Sequence, residues 1–430
     1  FPDLSLGSYN VKDYFSDAAS KDLGKKTVRG GLYTGIGKVL STLIAIGVIP
    51  ILARLLEPSD FGLIAMMAVF TNFGSMFVDA GLSMATVQRD KITHDQVSNL
   101  FWIATGLGCL IGILVCLSAP IVVWCYNEPR LFYPMMATSV SFVLAGLSIQ
   151  HQALLRRQMM FSHLVVIGIV SSVLGQVAAI AWAYHYQGQP IAFWALVLMP
   201  IVTAAVALAG KWIACKWRPG LPKAGVGTRE LVTFGANLTG FSLMNYVARY
   251  VDKMLIGWQW GDDLLGYYDR AYRIFLTPIS RIIGPFSSVA IPALSRLTDD
   301  KPKLEKAYSR MLRMLLAIIC TLSLCMCLHG DLIISLMLGS GWEPTIPIFR
   351  CLAIVGLFQP FCHTLTWIFY AYGKGGDVLK IGLFSAAIKC TSYFVGLPWG
   401  PLGVAFSYMI ATVFLYTPIA LLFSAYRSSI

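Results

Sequence analysis

Charge is what this sequence has least of. Asp, Glu, Lys and Arg make up only 13% of its 430 residues, about half the share of an ordinary soluble domain. With 57% apolar residues and a mean hydropathy of +0.69, that scarcity excludes a chain folded mainly in water. No polar stretch between the apolar runs is long enough to build a soluble catalytic domain. Paired CxxC motifs are missing too. The ten cysteines are scattered, and Cys109, Cys116, Cys320, Cys325, Cys327, Cys351, Cys362 and Cys390 lie inside apolar runs, where a thiol is a small apolar filler. His151, His329 and His363 have no second His or carboxylate at metal-binding spacing, so neither a metal nor any other cofactor is expected. A phosphate loop is approached at Gly35, Gly37 and Lys38, but residue 32 is Leu and residue 39 is Val, which excludes GxxxxGK[ST] and ATP hydrolysis through it. Residues 1–31 are polar, with Lys21, Lys25, Lys26 and Arg29 among them, and do not make a cleavable signal peptide.

What is present is a succession of apolar runs of roughly 20 residues, each able to cross a hydrocarbon layer of about 30 Å as a helix. Six begin near Leu32, Gly62, Val97, Leu131, Phe161 and Ile191, and six more near Leu231, Leu264, Ala307, Thr345, Val378 and Leu402. The expected fold is all-α and polytopic. A cytoplasmic segment 1–31 is followed by a six-helix bundle over 32–214, a cytoplasmic linker over 215–230 and a second six-helix bundle over 231–430. The net charge of +12 does not point to nucleic acid, because the basic residues fall in alternate short gaps and not on an arm or an amphipathic face. Arg89 and Lys91, Arg156 and Arg157, Lys211 to Arg229, Arg296 to Lys306, and Lys374 with Lys380 mark the cytoplasmic gaps. The gaps at Glu57–Asp60, Gln187–Gln189, Gly261–Asp263 and Leu397–Pro401 carry no Lys or Arg. Both termini are therefore expected in the cytoplasm.

A weak internal repeat has an offset of 204: Phe61 and Gly62 open the second run as Leu265 and Gly266 open the eighth. Two homologous bundles would place a substrate cavity between them, as in transporters. Ionisable residues inside apolar runs mark such cavities, since a charge at the bilayer centre costs about 2.5–3.5 kcal/mol on insertion scales. The eighth run carries Arg270, Arg273 and Arg281 on one helical stripe, and the seventh carries Arg249, Asp252 and Lys253. Arg offers paired donors and Lys a point charge to a phosphate-bearing headgroup. The competing reading is plain interhelical pairing, Asp269 with Arg273 and Asp252 with Arg249. In the first half Lys38 is a candidate cavity cation. Asp79 is a candidate for ion coupling, together with Asp252 and Asp269, though Asp79 could equally act as a cap. Pro278, Pro285 and Pro292 recur every seven residues along the eighth run and should bend it.

The segments ILARLLEPSDFGLIAM (51–66), FVDAGLSMATVQRD (77–90), LLGYYDRAYRIFLTPISRI (264–282) and IPALSRLTDD (291–300) resemble Wzx-like polysaccharide exporters, near the colanic acid branch of the MOP flippase superfamily. The resemblance spans most of residues 20–427. It implies a V-shaped pair of bundles that flips an undecaprenyl-pyrophosphate-linked oligosaccharide across the bacterial cytoplasmic membrane, driven by membrane potential or an ion gradient. It further implies a transporter and not an enzyme, with membrane lipids and the polysaccharide polymerase machinery as partners, no nucleic acid, and a monomer. Cationic cavity residues of the family carry over to Lys38, Arg249, Lys253, Arg270, Arg273 and Arg281. Two rivals stay open. One is a multidrug extruder, which would want acidic or aromatic cavity residues. The other is a membrane glycosyltransferase using Glu57 and Asp60.

Overall fold

The computed structural model describes residues 23–79, 81–89, 92–223 and 228–428, and for 23–32, 228–249 and 425–428 it describes the backbone alone. Every regular element among them is helical. In order these are α1 (Leu23–Leu55), α2 (Pro58–Asp79), α3 (Leu82–Gln88), α4 (His94–Tyr126), α5 (Phe132–Arg157), α6 (Phe161–His185), α7 (Trp194–Ala214), α8 (Thr228–Ser295), α9 (Lys301–Leu328), α10 (Gly330–Leu338), α11 (Thr345–Ala371), α12 (Gly375–Gly396), α13 (Gly400–Ile410) and α14 (Thr417–Ser428). A π-helical turn, Ala411–Tyr416, joins the last two.

Ten continuous helical stretches among the described residues are long and apolar enough to cross a membrane, against the twelve separate helices expected. The difference lies in two stretches of 46 and 50 residues, Tyr250–Ser295 and Gly375–Ser424. At 1.5 Å per residue each is more than twice as long as the roughly 30 Å hydrocarbon core of a bilayer is thick. Both are hairpins. In α8 the only non-helical residue is Gly261, at φ 82° and ψ −173°. Residues on either side of it meet: the Tyr268 hydroxyl donates to Asp252, and the Lys253 ammonium reaches Asp269. Gly261 is thus the corner of two antiparallel arms, in a conformation that a side chain would strain. The second hairpin turns at Leu397–Trp399 and Gly400, which has φ +75°. Across it Ser407 donates to the Ser392 carbonyl, and the Tyr393 and Tyr408 rings lie 5.6 Å apart.

The chain divides into two compact units, Phe1–Leu56 with Met67–Met244, and Glu57–Met66 with Asn245–Ile430. In the first, α4 packs on α5, α6 on α7, α5 on α7, and α1 on α6. Lipid supplies no hydrophobic drive between helices, so close backbone approach at small residues must do the work. Gly108 and Gly146 supply it for α4 and α5: a Cβ on either would sit 2.6 Å from the Phe142 carbonyl or 2.7 Å from that of Ala104. The non-helical segment after α7 is tied down on α4. Asn99 bonds the backbone of Lys223 through both ends of its amide (2.6 and 2.8 Å), Ser98 accepts from the Gly220 amide (3.0 Å), and Trp102 donates to the Gly220 carbonyl (2.8 Å). Beneath it, His151 stacks on Trp212 at 4.5 Å and meets Trp217 and Phe101 edge-on.

In the second unit the start of α2 lies against the second arm of α8. Gly62 is pressed on the Asp262 carbonyl, and Gly266 on the carbonyl of Pro58. Adding the repeat offset of 204 to Pro58 and Gly62 gives Asp262 and Gly266, so the contact maps onto itself. A local pseudo-two-fold has that signature. Neither glycine has room for a methyl group. Gly62→Ala or Gly266→Ala should therefore cost about 1–3 kcal/mol by overpacking and lower the midpoint of thermal unfolding in detergent. Gly35→Ala, where nothing lies within 4 Å of the added carbon, should leave the midpoint in place.

Candidate functional site: a buried cationic cluster

The α8 hairpin creates the site. Lys253 and Asp269 each lie eight residues from Gly261, about 12 Å along their arms. The antiparallel register points them at one another. Asp269 is fully buried, and its carboxylate takes three cations. Lys253 Nζ bonds Oδ1 at 2.6 Å, while Arg270 Nη2 and Arg273 Nε bond Oδ2 at 2.7 and 2.6 Å. A buried carboxylate persists only when its lone pairs are used by donors of opposite charge. Here two oxygens face three positive groups, and positive charge is in excess.

Aromatic rings make the excess tolerable. Lys253 Nζ lies 5.2 Å from the Tyr272 ring and 5.8 Å from that of Tyr250, and the Arg270 guanidinium lies 4.5 Å from the Phe61 ring. Ring quadrupoles attract cations most strongly where water is scarce. The three cations differ in reach. The side chains of Lys253 and Arg270 are 7% and 12% exposed, but that of Arg273 is 46% exposed. Arg273 therefore presents donors outward while its Nε stays anchored. Beside the cluster Asp252 is buried and accepts from the Tyr268 hydroxyl at 2.9 Å.

Of the residues marked out by sequence, the structure brings together Lys253, Arg270, Arg273, Asp252 and Asp269. Arg270 and Arg273 share one carboxylate, so the pairing of Asp269 with Arg273 is present and the two arginines are not independent rungs. Arg281 lies eight residues beyond Arg273 on an exposed face, with no ion pair among the described residues. Lys38 is exposed on α1, in the other unit. Asp79 caps α3 by accepting from the Ser83 amide (2.9 Å) and hydroxyl (2.6 Å). The side chain of Arg249 lies outside the described residues. Pro278, Pro285 and Pro292 are accommodated within a continuous helical arm. Sequence reasoning missed Phe61, Tyr268, Tyr272 and the bond from Lys253 to Asp269. Their signal was symmetry about Gly261, visible only once that glycine is recognised as a corner. Among the described residues no three His, Cys, Asp or Glu side chains are grouped to hold a metal ion.

Ten helical stretches long and apolar enough to cross a membrane, among the described residues, define an all-α polytopic membrane protein. The family of polysaccharide biosynthesis proteins matches residues 51–347, and the chain belongs to that family. It is 24% identical over 393 residues to the lipopolysaccharide biosynthesis protein WzxC of Escherichia coli (strain K12), covering 91% of this chain and 79% of that one. The fold is shared with the lipid II flippase MurJ in its inward closed conformation (TM-score 0.70, 14% identity, 93% of this chain and 88% of that one). A multidrug resistance MATE family transporter in its inward-facing conformation is about as similar (TM-score 0.69, 16% identity, 90% and 94%).

Removing the carboxylate leaves three cations facing one another in a low-dielectric interior. Asp269→Ala should cost on the order of 3–5 kcal/mol, read as a fall in the thermal-unfolding midpoint. Arg273→Gln, which leaves Lys253 and Arg270 on Asp269, should cost clearly less.

Proposed function

We propose that this chain is a flippase that moves an undecaprenyl-pyrophosphate-linked oligosaccharide across the bacterial cytoplasmic membrane for surface polysaccharide assembly. The observation that carries the reading is the cluster at Asp269, where three cations meet one buried carboxylate with Arg273 half exposed. A pyrophosphate is the complementary ligand: it supplies several acceptor oxygens and the negative charge the cluster lacks. Membership of the polysaccharide biosynthesis family supports a glycan cargo. The fold alone does not choose between a lipid-linked glycan and a drug, since MurJ and the MATE transporter resemble the chain about equally. The sign of the surplus charge does choose, because it repels organic cations.

In this mechanism the headgroup is drawn to Arg273 and Arg270 while the lipid tail stays among the bilayer chains. Lys253 holds Asp269 in place as the headgroup engages. Lys38, Arg249 and Arg281 serve as further headgroup contacts. Alternating access of bundles 32–214 and 231–430, joined by the linker 215–230, releases the headgroup on the outer side. Membrane potential or an ion gradient drives the cycle, with Asp79, Asp252 and Asp269 as the carboxylates available for coupling. The chain works as a monomer with both termini in the cytoplasm and delivers its cargo to the polymerase machinery.

The test is flipping of a fluorescent undecaprenyl-pyrophosphoryl oligosaccharide in proteoliposomes under an imposed membrane potential. The native chain should flip it, and Arg270→Ala, Arg273→Ala and Arg281→Ala should each lower the rate at least tenfold while eluting as folded protein. A native chain that is inert toward polyprenyl substrates yet extrudes organic cations would replace this reading with drug export.

A further inference from the structure

Asp252 is 1% exposed, yet among the described residues it is the one carboxylate of the cluster with no ion pair. Its Oδ2 accepts from the Tyr268 hydroxyl, and its Oδ1 has no hydrogen-bond partner. The next residue, Lys253, turns its ammonium to Asp269 instead. Of the three coupling candidates, Asp269 binds three cations and Asp79 accepts two bonds from Ser83, so Asp252 has the freest oxygen. The titratable groups facing Asp252 are Lys253, Tyr268, Asp269 and Tyr272 on α8, Cys390 and Tyr393 on α12, and Tyr408 on α13. Among these described groups Lys253 is the single cation, and its ammonium is bonded to Asp269; the side chain of Arg249 lies outside the described residues. A free lone pair at Oδ1 can thus accept a proton without breaking any bond in the cluster.

We infer that Asp252 is a proton-binding site linked to the anion site: its Oδ1 takes one proton from solvent when a pyrophosphate headgroup binds at Arg270 and Arg273, and returns it when the headgroup leaves. This deepens the headgroup reading and rests on it. The linkage follows from counting charges. Lys253, Arg270 and Arg273 contribute three positive charges, and Asp269 with ionised Asp252 two negative ones, a surplus of one. Protonating Asp252 raises the surplus to two, which favours a bound dianion, and in a low-dielectric interior that difference is large. Linkage is reciprocal, so the bound anion favours the protonated carboxyl to the same extent. Asp269 keeps the cations in place in both states, and only the charge at Asp252 changes.

Calorimetric titration of the full chain with undecaprenyl pyrophosphate, in buffers of equal pH but different ionisation enthalpy, counts protons taken up per ligand bound. The native chain should take up more protons than Asp252→Asn, by a large fraction of one, because the ligand's own protonation is common to both. Native Kd should rise with pH more steeply than that of the variant, by up to about tenfold per unit for one linked proton. Asp252→Asn resembles the protonated acid and should bind at high pH as tightly as the native chain binds at low pH. Equal proton uptake by the two proteins would overturn the inference and leave the headgroup site standing. Should Asp252→Asn not fold, Tyr268→Phe decides: it removes the donor to the ionised carboxylate, so the pH profile of Kd should move to higher pH, and an unmoved profile overturns the inference. A folded native chain that binds no undecaprenyl pyrophosphate at any pH removes the headgroup reading, and the linkage with it.

Discussion

Three cations on one fully buried carboxylate is the constraint on which the second unit is built. Lys253 reaches Asp269 only because the chain reverses at Gly261, and Arg270 can sit beside it only because Phe61 offers a ring face. The start of α2, which carries Phe61, must therefore press against the hairpin, and Gly62 and Gly266 make that approach possible. Charge pairing, the aromatic contact and the glycine seam are parts of one arrangement. An apolar replacement of the whole set would pack as well or better, since buried ion pairs seldom add net stability. Their presence is accordingly weak evidence about stability.

Much of the architecture was legible because lipid leaves the chain few choices. Each backbone N–H and C=O within the bilayer must bond internally, so a long apolar run becomes a helix whatever its neighbours do. Phe161 and Thr345, where two runs begin, are also the first residues of α6 and α11. Other helices begin earlier than the apolar pattern, for a local reason. α9 starts at Lys301, six residues before its apolar run, because Asp300 caps it by accepting from the Lys303 amide, and charged residues can occupy turns outside the hydrocarbon. The same pattern concealed breaks. Only the short polar interruption His329, Gly330 and Asp331 marks the break between α9 and α10, and nothing in hydropathy shows that residues 215–223 are docked on α4 by Asn99, Ser98 and Trp102.

The site was half legible. The rarity of charge in apolar runs picked out Lys253, Asp252, Asp269, Arg270 and Arg273 as residues needing an explanation. Helical periodicity placed the arginines on one stripe but carried no information about what lay opposite, since that depends on where the chain turns. Partners across the hairpin are sixteen residues apart in sequence, beyond the reach of any i,i+3 or i,i+4 rule. The partners chosen by short spacing were Arg249 for Asp252 and Arg273 for Asp269. The second is present, but it is one of three bonds to that carboxylate.

The seam between Gly62 and Gly266 bears on how such a chain can diverge. A segment like Pro58–Gly62 that meets its own counterpart is the seam two identical half-length chains would form, and there every substitution is felt twice. In a tandem duplication the copies are free to change one at a time. Pro58 corresponds to Asp262 across the offset, and Gly62 to Gly266. Backbone proximity at the seam is thus symmetric while the chemistry on its two shoulders differs, so one half can carry charge without unpicking the join.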